Sequence, residues 1–307
     1  MPFLSSKFWI GLFALLTFGP GLGGFPSNQD QDEKSKKAIE AIKKLGSRVQ
    51  FTKNGLDVKL VGKKAIQCLV YLKELPNLTS LHLYCGPIKD NYLEDLKDLT
   101  SLQFLSLSLT FITDDGLTHL KGLKNLEELD LSGTRVTGKG MATVANFPKL
   151  QRLTLLGLPN REQVGDDGLV HLKKLKNLTT LYAPRSKFTG EGLAILADFP
   201  ALESLTLREN KLGDAGLAHL PRLKTLRELD LEECGITDQG MPSLGKCRQL
   251  EKLYLAKNKI TDAGLVQLAR LTELKRVDIS STKVSQDGVR MLKKKLTKTR
   301  ITSNFRD

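Results

Sequence analysis

Few residues in this sequence are suited to chemistry: there are four histidines and four cysteines among 307 residues. A zinc site would need several of them on one ion at about 2 Å. A hydrolytic centre would need a Ser or Cys nucleophile, a His base and an acid that orients it. His82, Ser106 and Asp130 follow one another at 24-residue intervals, and His119, His171 and His219 are separated by 52 and 48 residues. The Gly19-Pro20-Gly21-Leu22-Gly23-Gly24 run has glycines like those of a phosphate loop, but not the Lys-Ser/Thr that holds phosphate. Whether any of these residues meet depends on the elements that carry them.

Those elements repeat. L-x-x-L-x-L segments begin at Leu78, Leu102, Leu126, Leu150, Leu178, Leu202, Leu226, Leu250 and Leu274, all at 24-residue intervals except one of 28. An aliphatic or aromatic residue follows ten places on, and a glycine four after that, from Gly116 to Gly288. The first half of each unit alternates with period two, as a strand does. The second half has apolar residues at spacing three, as a short helix does. In Thr113-Asp114, Thr237-Asp238 and Thr261-Asp262, side-chain oxygens precede the helical run, which reads as helix capping. A lone unit cannot bury its apolar face, so the units must stack, with parallel strands about 4.8 Å apart. The expected fold is α/β: a horseshoe solenoid with a parallel concave sheet, short convex helices and about nine full repeats plus caps.

Stacking decides the chemistry. His119, His171 and His219 fall two coils apart, about 10 Å, too far to share an ion. His82, Ser106 and Asp130 become neighbours in one row simply because strands alternate, and the sequence supplies no oxyanion donor for them. Cys234 falls in a column with Thr110, Thr134, Asn210, Asn258 and Thr282, and Cys247 takes a helix position held elsewhere by Leu or Phe. Both read as buried small residues. Cys68 and Cys85 sit near the first units, where free thiols are expected and a cap disulfide is the alternative. No catalytic residue, cofactor or metal is expected.

The 24-residue L-x-x-L-x-L…I-T-D-x-G-L unit resembles the leucine-rich-repeat family over roughly residues 56–292, in the form found in GALA-type effectors and F-box-related proteins. With its leading apolar run, the chain is also similar to exported repeat proteins of planctomycete-type bacteria. The resemblance implies a protein-binding scaffold. An F-box-like adaptor in ubiquitin-dependent degradation is a further implication, though no F-box precedes the repeats.

The ends frame the array. Residues 1–24 read as a signal peptide, with Lys7 ahead of the apolar Phe8 to Phe18 run, which is too short to span a bilayer. Export to the periplasm or outside follows from cleavage, and without cleavage the run is an N-terminal membrane anchor. Residues 25–34 read as a polar linker and 35–77 as an N-terminal cap: a helix from Ser35 to Leu45, a hairpin turning at Asn54-Gly55, and a helix from Ala65 to Leu75. Residues 78–291 hold the repeats, and 292–307 a C-terminal cap and basic tail.

The formal charge is +13. Its excess falls on helices and tail, so the basic convex face suits weak association with an anionic envelope polymer or membrane surface. The concave rows are mixed in sign and give no basic groove for specific nucleic acid. The expected partner is therefore a protein, met by a monomer. The irregular fourth and fifth units mark the expected centre: four extra residues enter between Leu156 and Gln163, and Ala183-Pro184 breaks the next strand. Leu156, Leu158, Arg161, Tyr182, Arg185, Arg208, Asp230 and Tyr254 are the candidate binding residues.

Overall fold

The computed structural model describes residues 28–62, 64–84, 86–158 and 163–305. The expected signal peptide, together with Cys85 and Arg161, lies outside them. The described residues form one 12-stranded sheet in strict sequence order. Its strands are β1 (Arg48–Thr52), β2 (Gly55–Val61), β3 (Leu78–Tyr84), β4 (Phe104–Ser106), β5 (Glu128–Asp130), β6 (Arg152–Thr154), β7 (Thr180–Tyr182), β8 (Ser204–Thr206), β9 (Glu228–Asp230), β10 (Lys252–Tyr254), β11 (Arg276–Asp278) and β12 (Arg300–Thr302). β1 and β2 are antiparallel, and every later pairing is parallel.

The alternation works as the leucine pattern requires. Leu102, Leu105 and Leu107 are completely buried, as are Leu226, Leu229 and Leu231, and the buried residues form one continuous core from the N-terminal helix to Leu296. Burying a leucine contributes about 1.5–3 kcal/mol, and each coil buries several against its neighbours. The helices are short, and many last turns tighten to 3-10 geometry, as at Thr118–Gly122 and Val266–Arg270. Among the described residues, none is long and apolar enough to cross a membrane.

The turn acids correct the capping expectation. The hydroxyls are the caps: Thr113 Oγ accepts from the Asp115 amide and Thr261 Oγ from the Ala263 amide. Each Asp instead reaches into the next coil. Asp90 accepts from the Thr113 amide at 2.8 Å and hydroxyl at 2.6 Å, and the same pair of bonds joins Asp114 to Thr137, Asp166 to Thr189, Asp214 to Thr237, Asp238 to Thr261 and Asp262 to Ser285. The glycine column explains itself here. A Cβ on Gly116 would lie 2.3 Å from Asp90 Oδ1, and one on Gly288 would lie 2.0 Å from Asp262 Oδ1.

The ends differ from expectation in detail. The N-terminal helix runs Asn28–Lys44, so residues 28–34, expected as linker, form its first turns. Acidic residues suit a helix start, and a Glu33–Lys37 pair at 2.7 Å adds support one turn on. The hairpin pairs Thr52 with Gly55, so it turns through Lys53-Asn54. Gly55 is needed for close approach, because a Cβ there would lie 2.4 Å from the Asn77 carbonyl oxygen. At the far end, a helix spans Gln286–Lys295 across the expected cap boundary, and β12 continues the 24-residue register with Arg276 opposite Arg300. Lys298 occupies the leucine position of that last unit, which hides it from a leucine search.

Replacing Asp90 by Ala is expected to lower the urea unfolding free energy by about 1–3 kcal/mol, since two charge-assisted bonds are lost. Gly116→Ala should also destabilise, and the double variant by less than the sum, because removing the carboxylate frees room for the new methyl. Strict additivity would show that the two residues do not share that space.

Candidate binding face

The pairings place one middle row across the concave face: His82, Ser106, Asp130, Thr154, Tyr182, Thr206, Asp230, Tyr254 and Asp278. A flanking row runs Ser80, Phe104, Glu128, Arg152, Thr180, Ser204, Glu228, Lys252 and Arg276. Stacking brings opposite charges together within that row. Arg152 pairs with Glu128, and Lys252 with Glu228 at 2.9 Å.

Of the candidate residues, Tyr182 is 37% exposed at the centre of the face, and Tyr254 is half-buried between Asp230 and Asp278. Arg185 and Arg208 are not free cations. Arg185 binds Glu209 through Nε at 2.6 Å, while Arg208 lies 3.8 Å from Glu209 and 3.6 Å from Glu232; Lys257 then holds Glu232 at 2.7 Å. Sequence order hides this chain of charges because, apart from the adjacent Arg208 and Glu209, its partners lie 24 or 25 residues apart. Burial, with Glu232 and Asp278 nearby, pushes the Asp230 carboxyl above the usual carboxylate range, against the Glu232 amide and Arg208. It is a half-buried acid on an open face.

Leu158, at the start of the insertion, folds back over Gly133 toward Leu109. A Cβ on Gly133 would lie 2.9 Å from Leu158 Cδ1 and 2.7 Å from Leu109 Cδ2. Gln163 Nε2 donates to the Leu158 carbonyl at 3.1 Å, tying the two described edges of the insertion. Leu156 is half-buried beside it. Pro184 breaks no ladder. Residues in its column, such as Ser108 and Ser132, direct their N–H to a nearby side chain in their own coil, while the residues on either side make the inter-coil bonds.

The sequence reading missed a polar cluster at the N-terminal end, because it treated β2 as part of a cap. β2 aligns Asp57 with Ser80 and Lys59 with His82. Ser80 donates to Asp57 at 2.8 Å, His82 Nε2 lies 3.2 Å from Asp57, and His82 Nδ1 lies 2.8 Å from the Tyr84 hydroxyl. A neutral ring protonated at Nε2 satisfies all three contacts, with Tyr84 donating to Nδ1. Burial holds His82 below the usual imidazole range, although Asp57 opposes this, and burial raises the Tyr84 hydroxyl. Ser106 donates to Asp130 at 2.9 Å. Ser80 Oγ also lies 3.2 Å from His82 Nε2, and with both serine hydroxyls donating to carboxylates the geometry is that of a satisfied network beside Phe104, whose ring lies 4.4 Å from His82.

The column beneath the strands is also satisfied. Asn210 donates to Ala183 and Leu207 and accepts from Ser186 and Phe188, and Asn258 repeats the pattern two coils on. Cys68, Cys234 and Cys247 are buried free thiols, and burial pushes Cys234 and Cys247 up to about 12, which leaves them unreactive. Among the described residues no group of His, Cys, Asp or Glu is placed to hold a metal ion.

Residues 122–145, 222–245 and 246–269 match the Leucine Rich repeat family. In solved structures, an internalin, InlF, from Listeria monocytogenes superposes with a TM-score of 0.54 at 19% identity, over 92% of this chain and 96% of that one. The fold is a leucine-rich-repeat solenoid. Internalin C2 from the same organism gives a TM-score of 0.50 at 21% identity, over 71% of this chain and 84% of its own. No curated protein sequence matches the chain. For this leucine-rich-repeat solenoid the likeness concerns architecture.

His82 gives the face a pH signature. Its folded value is depressed, so between that value and about 6.5 the unfolded chain binds more protons. Stability should be full above 6.5, fall as pH drops through 6.5, and level off below the folded value. His82→Gln is expected to flatten this part of the thermal-midpoint profile between pH 7.5 and 5, and an unchanged profile would contradict the assignment.

Proposed function

We propose that the protein is a non-enzymatic, protein-binding scaffold that engages its partner on the concave face, centred on the fifth to eighth coils. The observation that carries this reading is the register of the sheet: it sets Tyr182, Tyr254, Asp230 and Arg208 on one face at fixed coil spacing. Tyr and Arg are favoured interface anchors. Tyr182 is exposed where the neighbouring strands carry threonines in the same row. Leu156 and Leu158 add an apolar shoulder on the adjoining rim, and Arg161 of the insertion is a further candidate residue.

We further infer that the chain acts outside the cytoplasm as a monomer. Support comes from the apolar run at Phe8 to Phe18 with its small-residue flank, which fits export, or anchorage if uncleaved. The GALA-like form of the repeat fits an interaction protein of bacterial type.

Affinity capture with residues 25–307 should yield a partner whose retention drops more than tenfold with Tyr182→Ala and Tyr254→Ala combined, at unchanged circular dichroism. Deleting residues 159–162 should weaken it further. Equal retention by all variants would remove the concave face as the binding surface.

A further inference from the structure

One row of charge remains unpaired on the rim where the strands turn toward the helices. Nine residues after the start of the third and of the fifth to ninth units stand Arg135, Lys187, Lys211, Gly235, Lys259 and Lys283. The five cations are exposed. Among the described residues none of them has an ion-pair partner, whereas the column two residues earlier is paired through Arg185, Glu209, Glu233 and Lys257. Arg135 lies over the Phe111 ring, 5.0 Å from its centre. The backbone of this column is stitched between coils: the amides of Phe111, Arg135, Lys259 and Lys283 donate to the carbonyls of Ile88, Ile112, Ile236 and Ile260. Lysines 211 and 259 also form parallel bridges with Thr189 and Thr237. The row is therefore held at coil pitch, and Lys187 to Lys283 spans four coil steps, about 19 Å.

We infer that this lysine row is a docking track for an extended acidic segment of a protein partner, an inference that rests on the reading of the partner as a protein. The linear form of the row selects the occupant: its cations follow one another in single file at coil pitch, and the column on its concave side is mixed, with Arg185, Glu209, Glu233 and Lys257 paired among themselves. A flat anionic membrane finds no broad basic area there, while a single extended chain can follow the file. The track has no aromatic residue from Lys187 to Lys283 on which bases could stack, and its lysines act as point charges without geometric selection. An extended peptide presents same-face side chains about every 6.8 Å, so roughly six residues cover the track. Where Gly235 interrupts the row, a cleft opens between Lys211 and Lys259, floored by Gly213 and Gly235, that accepts side-chain bulk.

The test titrates a fluorescent deca-glutamate peptide into the protein at low salt. The variant Lys187→Gln, Lys211→Gln, Lys259→Gln, Lys283→Gln should bind more than tenfold more weakly. A charge-matched control, Lys121→Gln, Lys124→Gln, Lys173→Gln, Lys174→Gln, should stay within about twofold of the parent. Tyr182→Ala with Tyr254→Ala should leave peptide binding unchanged, which separates failure of the track from failure of the concave-face reading. Unchanged binding by the rim variant, or an equal loss in the control, overturns the inference. So does a deca-thymidylate or an anionic phosphatidylserine vesicle that depends more strongly on the rim lysines than the peptide does.

Discussion

Everything in this molecule depends on how one coil grips the next, and the grip is a carboxylate. At six joints among the described residues, an aspartate at the start of the helical turn accepts an amide and a hydroxyl from the following coil, and it fits only because the glycine three residues after that hydroxyl has no side chain. Burial works against the charge of Asp238, yet the hydroxyl and amide of Thr261 and the amide of Gly264 hold its carboxyl below the usual carboxylate range. Two joints lack this aspartate; at the first, the Asp167 carboxylate of the following coil packs over Gly138 instead. Gly138 and Gly190 stand where the acid would be, and Gly165 and Gly213, both at positive φ, stand where the hydroxyl would be. At the second of these, Gly190 packs directly against Gly216. Acceptor and donor are therefore kept or lost together.

A joint on one side of the coil, the parallel ladder on the other and the buried Asn, Thr, Ser and Cys column between them fix each coil in three places. This over-determination explains how the turn tolerates non-glycine residues at positive φ in coil after coil: Leu109, Arg185, Glu209, Glu233, Lys257 and Ser281. Such a backbone is strained by roughly 1–2 kcal/mol per residue unless its surroundings enforce it. The functional consequence is a set of rows whose backbone is held at coil pitch, with mixed charge inside the curve and unpaired lysines along its edge.

The leucine spacing made the register, the sheet order and the concave rows legible without coordinates, because a period-two pattern repeated at 24 residues allows few other solutions. Relations between coils were less legible. Asp114 looks like a local cap because its neighbour Thr113 is one, and the bond to Thr137 crosses 23 residues. Arg185 looks free until Glu209 is stacked beside it, and Pro184 looks disruptive until the unused amide of its column is known. Lys298 concealed the last strand and the cap assignment concealed Asp57 in the His82 network. For Asp114, Arg185 and His82 the deciding partner lies about one coil away, beyond any local pattern.

Native-state hydrogen exchange tests the central claim most directly, by following the turn amides of Thr113, Thr137, Thr189, Thr237, Thr261 and Ser285. If the carboxylate joints hold the coils in register, these amides should exchange as slowly as those of the central strands, although they sit at exposed or half-exposed turns. Exchange at the rate of open loops would show that the coils are held by leucine burial alone, and that the aspartates are spectators.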